Sequence, residues 1–437
     1  MPCNIAFRLI ITFFITGITT THAQIVDLSG DLLDQIESIR SHMPGRDSEG
    51  FVKPSKAELT GWRELITALL EGRLENANTL VQSEFSFYQL YRFTDTGFNQ
   101  QLFYLLREKF PVTKGWGTFM VNPNFERPIC IEIPHAIYDI NTYKQGTDIF
   151  RRTGARFLIM AGTHRCGNSE PSPCDGSFQG CGTGQYHITD MAHFVDAPFQ
   201  ATHETIVTHF PQTYAFSIHG NSNDNCEDIF LSNGRSEESK PILFNLKSTL
   251  LAAGGVSVAV AGDGTSSCPF IGSTNTQGRF TNGSPDPCTQ AASSTNGYFI
   301  HVEQRRWVRD NFSVYVKLID AINTNIAHVT SVEGKDQTYG ENSPKTIALH
   351  SIYPNPFRTS ITISYELPER RRVTLKIYNL KGQLVRVLEQ NVIKNKGFYQ
   401  LQWDGTNKHG KSMPSGTYFI KLAAGNTLSK GKITLLR

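Results

Sequence analysis

The sequence predicts an α/β core, a mixed sheet with flanking helices, preceded by a small helical and hairpin region and followed by a C-terminal all-β sandwich. Three observations carry this expectation. Across residues 121–328, short apolar runs rich in β-branched and aromatic residues alternate with longer amphipathic ones, the pattern of an α/β domain. From Lys56 to about Leu80, the residues Leu59, Trp62, Leu65, Ile66, Leu69 and Leu70 recur at helical spacing, interrupted at Gly72. Beyond residue 348, six or seven short alternating segments fall within about ninety residues, as in a β-sandwich.

At the N-terminus, Arg8 precedes an apolar run from Leu9 to Ile18, and Thr19, Thr20, Thr21, His22 and Ala23 follow. This is signal-peptide grammar over residues 1–23, with cleavage expected after Ala23. The run is about half the length a helix needs to cross a bilayer, and no later stretch reaches about twenty apolar residues, so no transmembrane anchor is expected. Removing the peptide takes away Arg8 and no acid, so a formal charge of +3 becomes +2. The basic residues are scattered and no nucleic-acid partner is called for; Arg370, Arg371 and Arg372 read as a solvated turn. With 437 residues and 39% hydrophobic content, two or three domains with ample core are possible.

Residues 24–120 form the helical and hairpin region. After the helix, Tyr88, Tyr91, Phe93, Phe98, Phe103 and Tyr104 lie in two runs around the turn-like Asp95, Thr96 and Gly97, predicting a hairpin or small sheet packed on the core. Within residues 121–328 the predicted strands are Ile129 to Pro134, Arg156 to Ala161, Thr213 to Ile218, Val256 to Ala261 and Tyr298 to Val302. Helices are predicted over Tyr143 to Arg152, Met191 to His209, Ile242 to Ala253 and Arg305 to Ile322. Each strand is followed by a polar or ionisable group: His135, His164 with Arg165, His219, Asp263 and Glu303. Ligands of open α/β sheets bind beyond the carboxyl ends of the strands, so these groups are expected to converge on one crevice. Asp190 and His193, three apart at an expected helix start, and His203 and Glu204 further along it, are further candidates to line it; an N-cap is the plain alternative for Asp190.

Of eight cysteines, Cys3 leaves with the peptide and the rest lie in the middle of the chain. Cys166, Cys174 and Cys181 punctuate one Gly/Ser/Pro-rich loop, and Cys268 and Cys288 bracket another. An exported chain favours disulfides, and one bridge is expected within each group, with at least one thiol of the odd number outside an internal bridge. Residues 329–347 are polar and aperiodic, a linker to the sandwich of residues 348–437.

That sandwich resembles the C-terminal sorting domain of the type IX secretion system of the Bacteroidetes. The motifs that carry the resemblance are Tyr353-Pro354-Asn355-Pro356-Phe357, Ile377-Tyr378-Asn379 with Gly382, Trp403-Asp404-Gly405, Pro414-Ser415-Gly416-Thr417-Tyr418-Phe419 and Lys432-Ile433-Thr434-Leu435-Leu436. The resemblance implies passage through the periplasm to the cell surface or medium, with the type IX machinery as partner. An ordinary immunoglobulin-like accessory module is the alternative.

In the middle region, Ile131-Glu132-Ile133-Pro134-His135, Ser217-Ile218-His219-Gly220 and His301-Val302-Glu303-Gln304-Arg305-Arg306 resemble, in order, segments of the N-formylglutamate amidohydrolase family, whose fold is related to that of zinc carboxypeptidases. The resemblance implies zinc held by His135, Asp139 and His219, and Glu303 as general base. Three such ligands leave a place for a water whose pKa falls to about 7, and a nearby carboxylate takes its proton as it attacks a carbonyl. The relatives carry Glu three residues after the first His, whereas here the nearest acid, the shorter Asp139, follows after four, so the alternative for Asp139 is an outer acceptor that orients an imidazole. Arg165 is suited to grip a substrate carboxylate, with His164, Asp190 and His193 as further substrate-binding candidates. The implied substrate is a short peptide or an N-acyl amino acid. A surface binding module and a metal-dependent phosphoesterase are the other classes; no Gly-rich phosphate loop opens a helix, and no Gly-x-Ser-x-Gly elbow marks a serine hydrolase.

Overall fold

The computed structural model describes residues 25–329 and 348–437, apart from 354–356, 359, 368–369, 395–396 and 426. The expected signal peptide, the polar stretch 330–345 and the centre of the Tyr-Pro-Asn-Pro-Phe motif lie outside the described residues.

The chain opens with β1 (Val26–Gly30), α1 (Leu32–Ser41), α2 (Lys56–Leu70) and α3 (Leu74–Ser83). Ser55 starts α2 with a capping box: its hydroxyl accepts from Glu58 N–H and the Glu58 carboxylate accepts from Ser55 N–H. The expected hairpin follows as β2 (Tyr88–Asp95) and β3 (Gln101–Glu108), then β4 (Thr118–Val121). The hairpin is hydrogen-bonded edge-on into the core sheet rather than stacked on it, because β4 pairs antiparallel with both β3 and the next core strand.

The core continues with β5 (Arg127–Ile133), α4 (Thr142–Thr153), β6 (Ala155–Met160), α5 (Pro198–His209), β7 (Tyr214–Asn221), β8 (Ile229–Ser232), α6 (Pro241–Ala253), β9 (Val258–Val260), α7 (Thr276–Thr281), β10 (Phe299–Arg305), α8 (Arg306–Asp310) and α9 (Phe312–Asn325). Ten strands make one mixed sheet in the order β1-β2-β3-β4-β6-β5-β7-β10-β8-β9. Helices cover both faces. On one, Leu32, Ile149, Leu246 and Leu318 of α1, α4, α6 and α9 pack on Ile129, Ile131, Phe216 and Ile300. On the other, Trp62 of α2 and Phe199 and Ile206 of α5 pack on Cys130, Phe157 and Ile159.

The structure corrects three expectations and adds two core strands. The helix expected from Met191 begins at Pro198, which occupies the first turn, where its missing N–H costs nothing. The helix expected over Arg305 to Ile322 is two, because Asn311 is extended (φ −116°, ψ 110°). The four-residue strands β4 and β8 were too short to show a period. Cysteines pair as Cys166–Cys181, Cys174–Cys288 and Cys226–Cys268, so the loop around Cys268 and Cys288 is tied outward to two other segments rather than to itself. Cys130, buried, is the free thiol among the described residues. The cross-links are expected to matter energetically. Cys174 and Cys288 are 114 residues apart, and opening a loop of that size is expected to cost roughly 2–5 kcal/mol, measured by urea unfolding of a Cys174→Ser/Cys288→Ser variant. Peptide mapping of native secreted protein should recover these bridges, and finding all the thiols alkylatable would contradict them.

The tail comprises β11 (Ala348–Tyr353), β12 (Ile361–Leu367), β13 (Arg371–Asn379), β14 (Leu384–Lys394), β15 (Gly397–Trp403), β16 (Gly416–Ala424) and β17 (Thr427–Leu435). They form a three-stranded sheet, β11-β12-β15, and a four-stranded sheet, β14-β13-β16-β17. Alternate residues, among them Ile361, Ile363, Tyr365, Val373, Leu375, Ile377, Ile420 and Leu422, fill the space between them. Among the described residues, no helix is long and apolar enough to cross a membrane.

Candidate functional site

Strand order fixes where a site can form. β5 lies between β6 and β7 and is parallel to both, with α4 leaving on one face and α5 returning on the other. The order reverses here, which opens a crevice at the carboxyl ends of the strands. Alternation then decides which side chains enter it. Phe216 and Ile218 of β7 and Ile300 and Val302 of β10 belong to the core under α4, α6 and α9. Ser217, His219, His301 and Glu303 therefore share the opposite face. The parallel register sets Glu303 beside His219 and His301 beside Ser217.

At this point the structure brings together four of the expected residues, His135, Asp139, His219 and Glu303, all buried. His135 Nδ1 is 3.1 Å from Asp139 Oδ2, and His219 Nδ1 is 3.7 Å from the same oxygen. The outer nitrogens are occupied: His135 Nε2 donates to Asp190 Oδ1 at 2.8 Å, and His219 Nε2 lies 2.9 Å from Ser217 Oγ. Gly220 N–H donates to Asp139 Oδ2 at 3.1 Å. A Cβ at Gly220 would fall 2.1 Å from Arg309 Nη1, so a side chain there would displace the Arg309 guanidinium.

These groups fit a divalent cation. His135 faces a carboxylate on each side, Asp190 at Nε2 and Asp139 at Nδ1, and the 3.1 Å gap between Nδ1 and Asp139 Oδ2 is filled either by a proton or by a cation in its place. The candidate ligand atoms of His135, Asp139 and His219 all lie within 4.8 Å of one another. Tetrahedral zinc with bonds of about 2.0–2.1 Å spaces its ligand atoms by about 3.3 Å, between the 3.1 and 3.7 Å observed. Each imidazole is held on its far nitrogen, the usual support of a metal-binding histidine.

The remaining candidates divide into two groups. Arg165 directs Nε and Nη2 to Asp190 Oδ2, with its guanidinium 3.7 Å above the Phe178 ring. Asp190 thus stands behind His135, in contact with Arg165 and with His193 Nδ1 at 2.9 Å. His193 stacks on Tyr186 with ring centres 3.6 Å apart, and its Nε2 is 3.1 Å from Thr274 Oγ1. His164 accepts from Cys166 N–H and meets Tyr138 edge-on. Three residues lie elsewhere. Asp263, expected in the crevice, sits beyond β9 at the sheet edge, held by Lys247 Nζ at 2.6 Å, with β8 and β10 between it and His219. His203, on α5, is bonded to Glu132 and to Thr281 Oγ1, and Glu204 pairs with Arg63. Ser217, Asn221 and His301 were not singled out by sequence, although the alternation from His219 and Glu303 places them on the same face.

Residues 357–427 match the family described as the FlgD Ig-like domain. Among solved structures, PorZ of Porphyromonas gingivalis, described as an essential bacterial surface component of the type-IX secretion system, is 19% identical over 20% of this chain and 11% of that one, with a TM-score of 0.16. Dimeric latent PorU of the same organism is 18% identical over 26% of this chain and 11% of that one, with a TM-score of 0.18. The chain thus spans about a tenth of the length of either, 11%. N-formylglutamate amidohydrolase of Ralstonia eutropha JMP134 is 14% identical over 48% of this chain and 95% of that one, with a TM-score of 0.28. No curated protein matches the chain.

Burial and charge set the protonation states around the crevice. Burial and Arg165 push the His135 imidazole down, but Asp190 and Asp139 outweigh them and its pKa stands above the ordinary histidine value. Burial would raise Asp190, yet Arg165, His193 and His135 hold it well below the carboxylate range. Burial, with His301 and His135 nearby, holds His219 well down, so its ring is neutral. Burial and the Asp139 carboxylate push Glu303 up to about 8. His219 is thus neutral, as a metal ligand must be, and Asp190 is ionised, whereas His135, raised by its two carboxylates, has to release a proton for a cation to take its place.

Proposed function

We propose that this chain is an exported, metal-dependent hydrolase that cleaves an amide bond in a short peptide or an N-acyl amino acid, and that its C-terminal β-sandwich is read by type IX secretion machinery. The observation that carries the enzymatic reading is the buried convergence of His135, Asp139 and His219 beside Glu303, with the far nitrogens of both imidazoles fixed by Asp190 and Ser217. Zinc, the expected cofactor, would supply there a Lewis acid and a water acidified to a pKa of about 7. Glu303, next to His219 in the parallel ladder, takes the proton of the attacking water and returns it to the leaving amine. Asp190, itself ionised by Arg165, keeps the proton of His135 on Nε2 and the lone pair of Nδ1 toward the cation. Arg165 and Asp190, expected to bind substrate, are buried and committed to each other, so their role here is to orient His135 rather than to grip a substrate carboxylate.

Three disulfides fit an extracytoplasmic, oxidising setting. Deleting Ile352 to Arg437 is expected to leave a folded core, with an unchanged melting temperature, retained in the periplasm. Appearance of the truncated protein outside the cell at the wild-type level would remove the sorting role. The enzymatic reading is tested by metal content and turnover together, since a structural ion alone would leave the panel of N-acyl amino acids and peptides uncut.

A further inference from the structure

The charge of the chain is unevenly divided. Residues 348–437 hold fifteen Lys and Arg against four Asp and Glu, a formal +11, so residues 1–347 carry −8. Along the sequence the basic residues of the tail are dispersed, but strand pairing gathers them. In the four-stranded sheet Leu375, Ile377, Ile420 and Leu422 fill the interior of the sandwich, so their neighbours along each strand share the outward face. Register then sets Lys376 of β13 opposite Lys421 of β16, and Lys421 opposite Lys430 of β17, three lysines in one row across three strands. The next row holds Leu384, Tyr378, Phe419 and Lys432. Lys421, Lys430, Lys432 and Phe419 are exposed.

Directly opposed residues of an antiparallel pair have Cβ atoms about 4.5–5.5 Å apart, and like charges there destabilise the sheet. No acid relieves this row. Glu389 is buried against Tyr365 and Lys394, Asp404 accepts from Thr406 in the turn after β15, and Glu366 belongs to β12 of the other sheet. Among the described residues Lys376, Lys421 and Lys430 have no ion-pair partner. Three opposed lysines kept at a cost in stability serve something outside the sheet.

The surroundings select the partner. This is the outer side of a sheet, of one sign across three strands, which suits an extended anionic surface better than one small anion. Lysine ammonium groups on long stems attract phosphates as point charges and need no fixed geometry. Apolar side chains stand among them: Phe419 is 41% exposed, Leu384 49% and, in the turn after β13, Leu380 69%. Lys interleaved with Phe and Leu suits acidic headgroups, where apolar groups enter the acyl boundary while the charges stay with the phosphates. Salt at 0.1 M screens charges beyond about 10 Å, so this local face rather than the formal +3 of the whole chain governs attraction.

We propose that the outward face of β14-β13-β16-β17 docks the exported chain on the anionic lipid headgroups of a membrane surface, with Lys376, Lys421 and Lys430 on the phosphates and Phe419, Leu384 and Leu380 in the interface. The docking does not depend on the sorting role, which deletion of the tail tests separately.

The test is co-sedimentation of the full-length chain with vesicles. Wild type is expected to bind vesicles of phosphatidylglycerol and phosphatidylethanolamine, to ignore vesicles of phosphatidylcholine, and to be released as salt rises from about 0.1 to about 0.5 M. Lys376→Gln/Lys421→Gln/Lys430→Gln should bind about 10²-fold more weakly. Its tail should nevertheless melt at a higher temperature, because the opposed charges are gone. Lys56→Gln/Lys408→Gln/Lys411→Gln removes the same charge elsewhere and should bind as wild type does. Phe419→Ser should weaken vesicle binding severalfold and leave retention on dextran sulfate unchanged. No binding of wild type to the acidic vesicles overturns the proposal. Equal loss in both triple variants assigns the attraction to net charge and overturns the face. A lower melting temperature in the first triple variant makes the lysines structural and overturns it too. Vesicle binding that Phe419→Ser does not alter, and that dextran sulfate displaces at an equal concentration of charge, makes the partner a soluble polyanion and overturns the lipid surface.

Discussion

Replacing His135 or His219 by alanine is expected to strip the protein of its metal and to abolish nearly all hydrolysis. His135→Ala removes one of three protein ligands and also leaves Asp190 with one partner fewer, while His219→Ala removes the ligand that β7 presents beside Glu303. The lost Lewis acid is worth several kcal/mol of transition-state stabilisation, which at about 1.4 kcal/mol per factor of ten is roughly 10³-fold or more in rate. Ser217→Ala provides the graded control. It keeps the ligand but frees His219 Nε2, and outer partners of this kind are worth about 10- to 100-fold in metal affinity or activity. Metal analysis and melting curves on the same preparations separate loss of the ion from loss of the fold.

The second large effect is expected at Glu303. Glu303→Gln keeps the shape and the metal but cannot accept a proton, so turnover should fall by roughly 10²-fold or more. Stability should move the other way in stripped protein. Burial and Asp139 push this carboxyl up to about 8 from an ordinary 4.5. Between those values the folded state holds a proton that the unfolded chain has released, so folding stability falls as pH rises from about 4.5 to about 8 and stays low above it. Glutamine has no proton to lose. The stripped variant is therefore expected to match stripped wild type near pH 4.5 and to exceed it by a few kcal/mol at pH 8, as read from urea midpoints. A residue that lowers stability where the enzyme works, and whose removal lowers turnover, behaves as a functional group rather than a packing one.

Much of this site was legible because it sits where periodicity changes to polarity. Ile131, Ile133, Ile218 and Val302 marked strands, and the histidine or acid at or just beyond each end marked the crevice. Asp263 misled for a physical reason: it also follows a strand, but β9 is an edge strand two places from β10, and neighbourhood along the sheet is not written in the local pattern. The partners of Asp190 could not be read either, since Arg165 is 25 residues away and His135 is 55. Pro198 did carry its message, that a helix begins there, but apolar spacing from Met191 onward concealed it. His301 could have been found from Glu303 by counting two along a strand.

The most direct test of the account is the metal content of the dialysed, full-length secreted protein measured beside its turnover on N-acyl amino acids and short peptides. The account predicts one tightly held divalent ion per chain, hydrolysis of at least one amide in the panel, and loss of both in His135→Ala and His219→Ala. A wild-type protein that holds no divalent metal, or a Glu303→Gln variant that hydrolyses as fast as wild type, would contradict it.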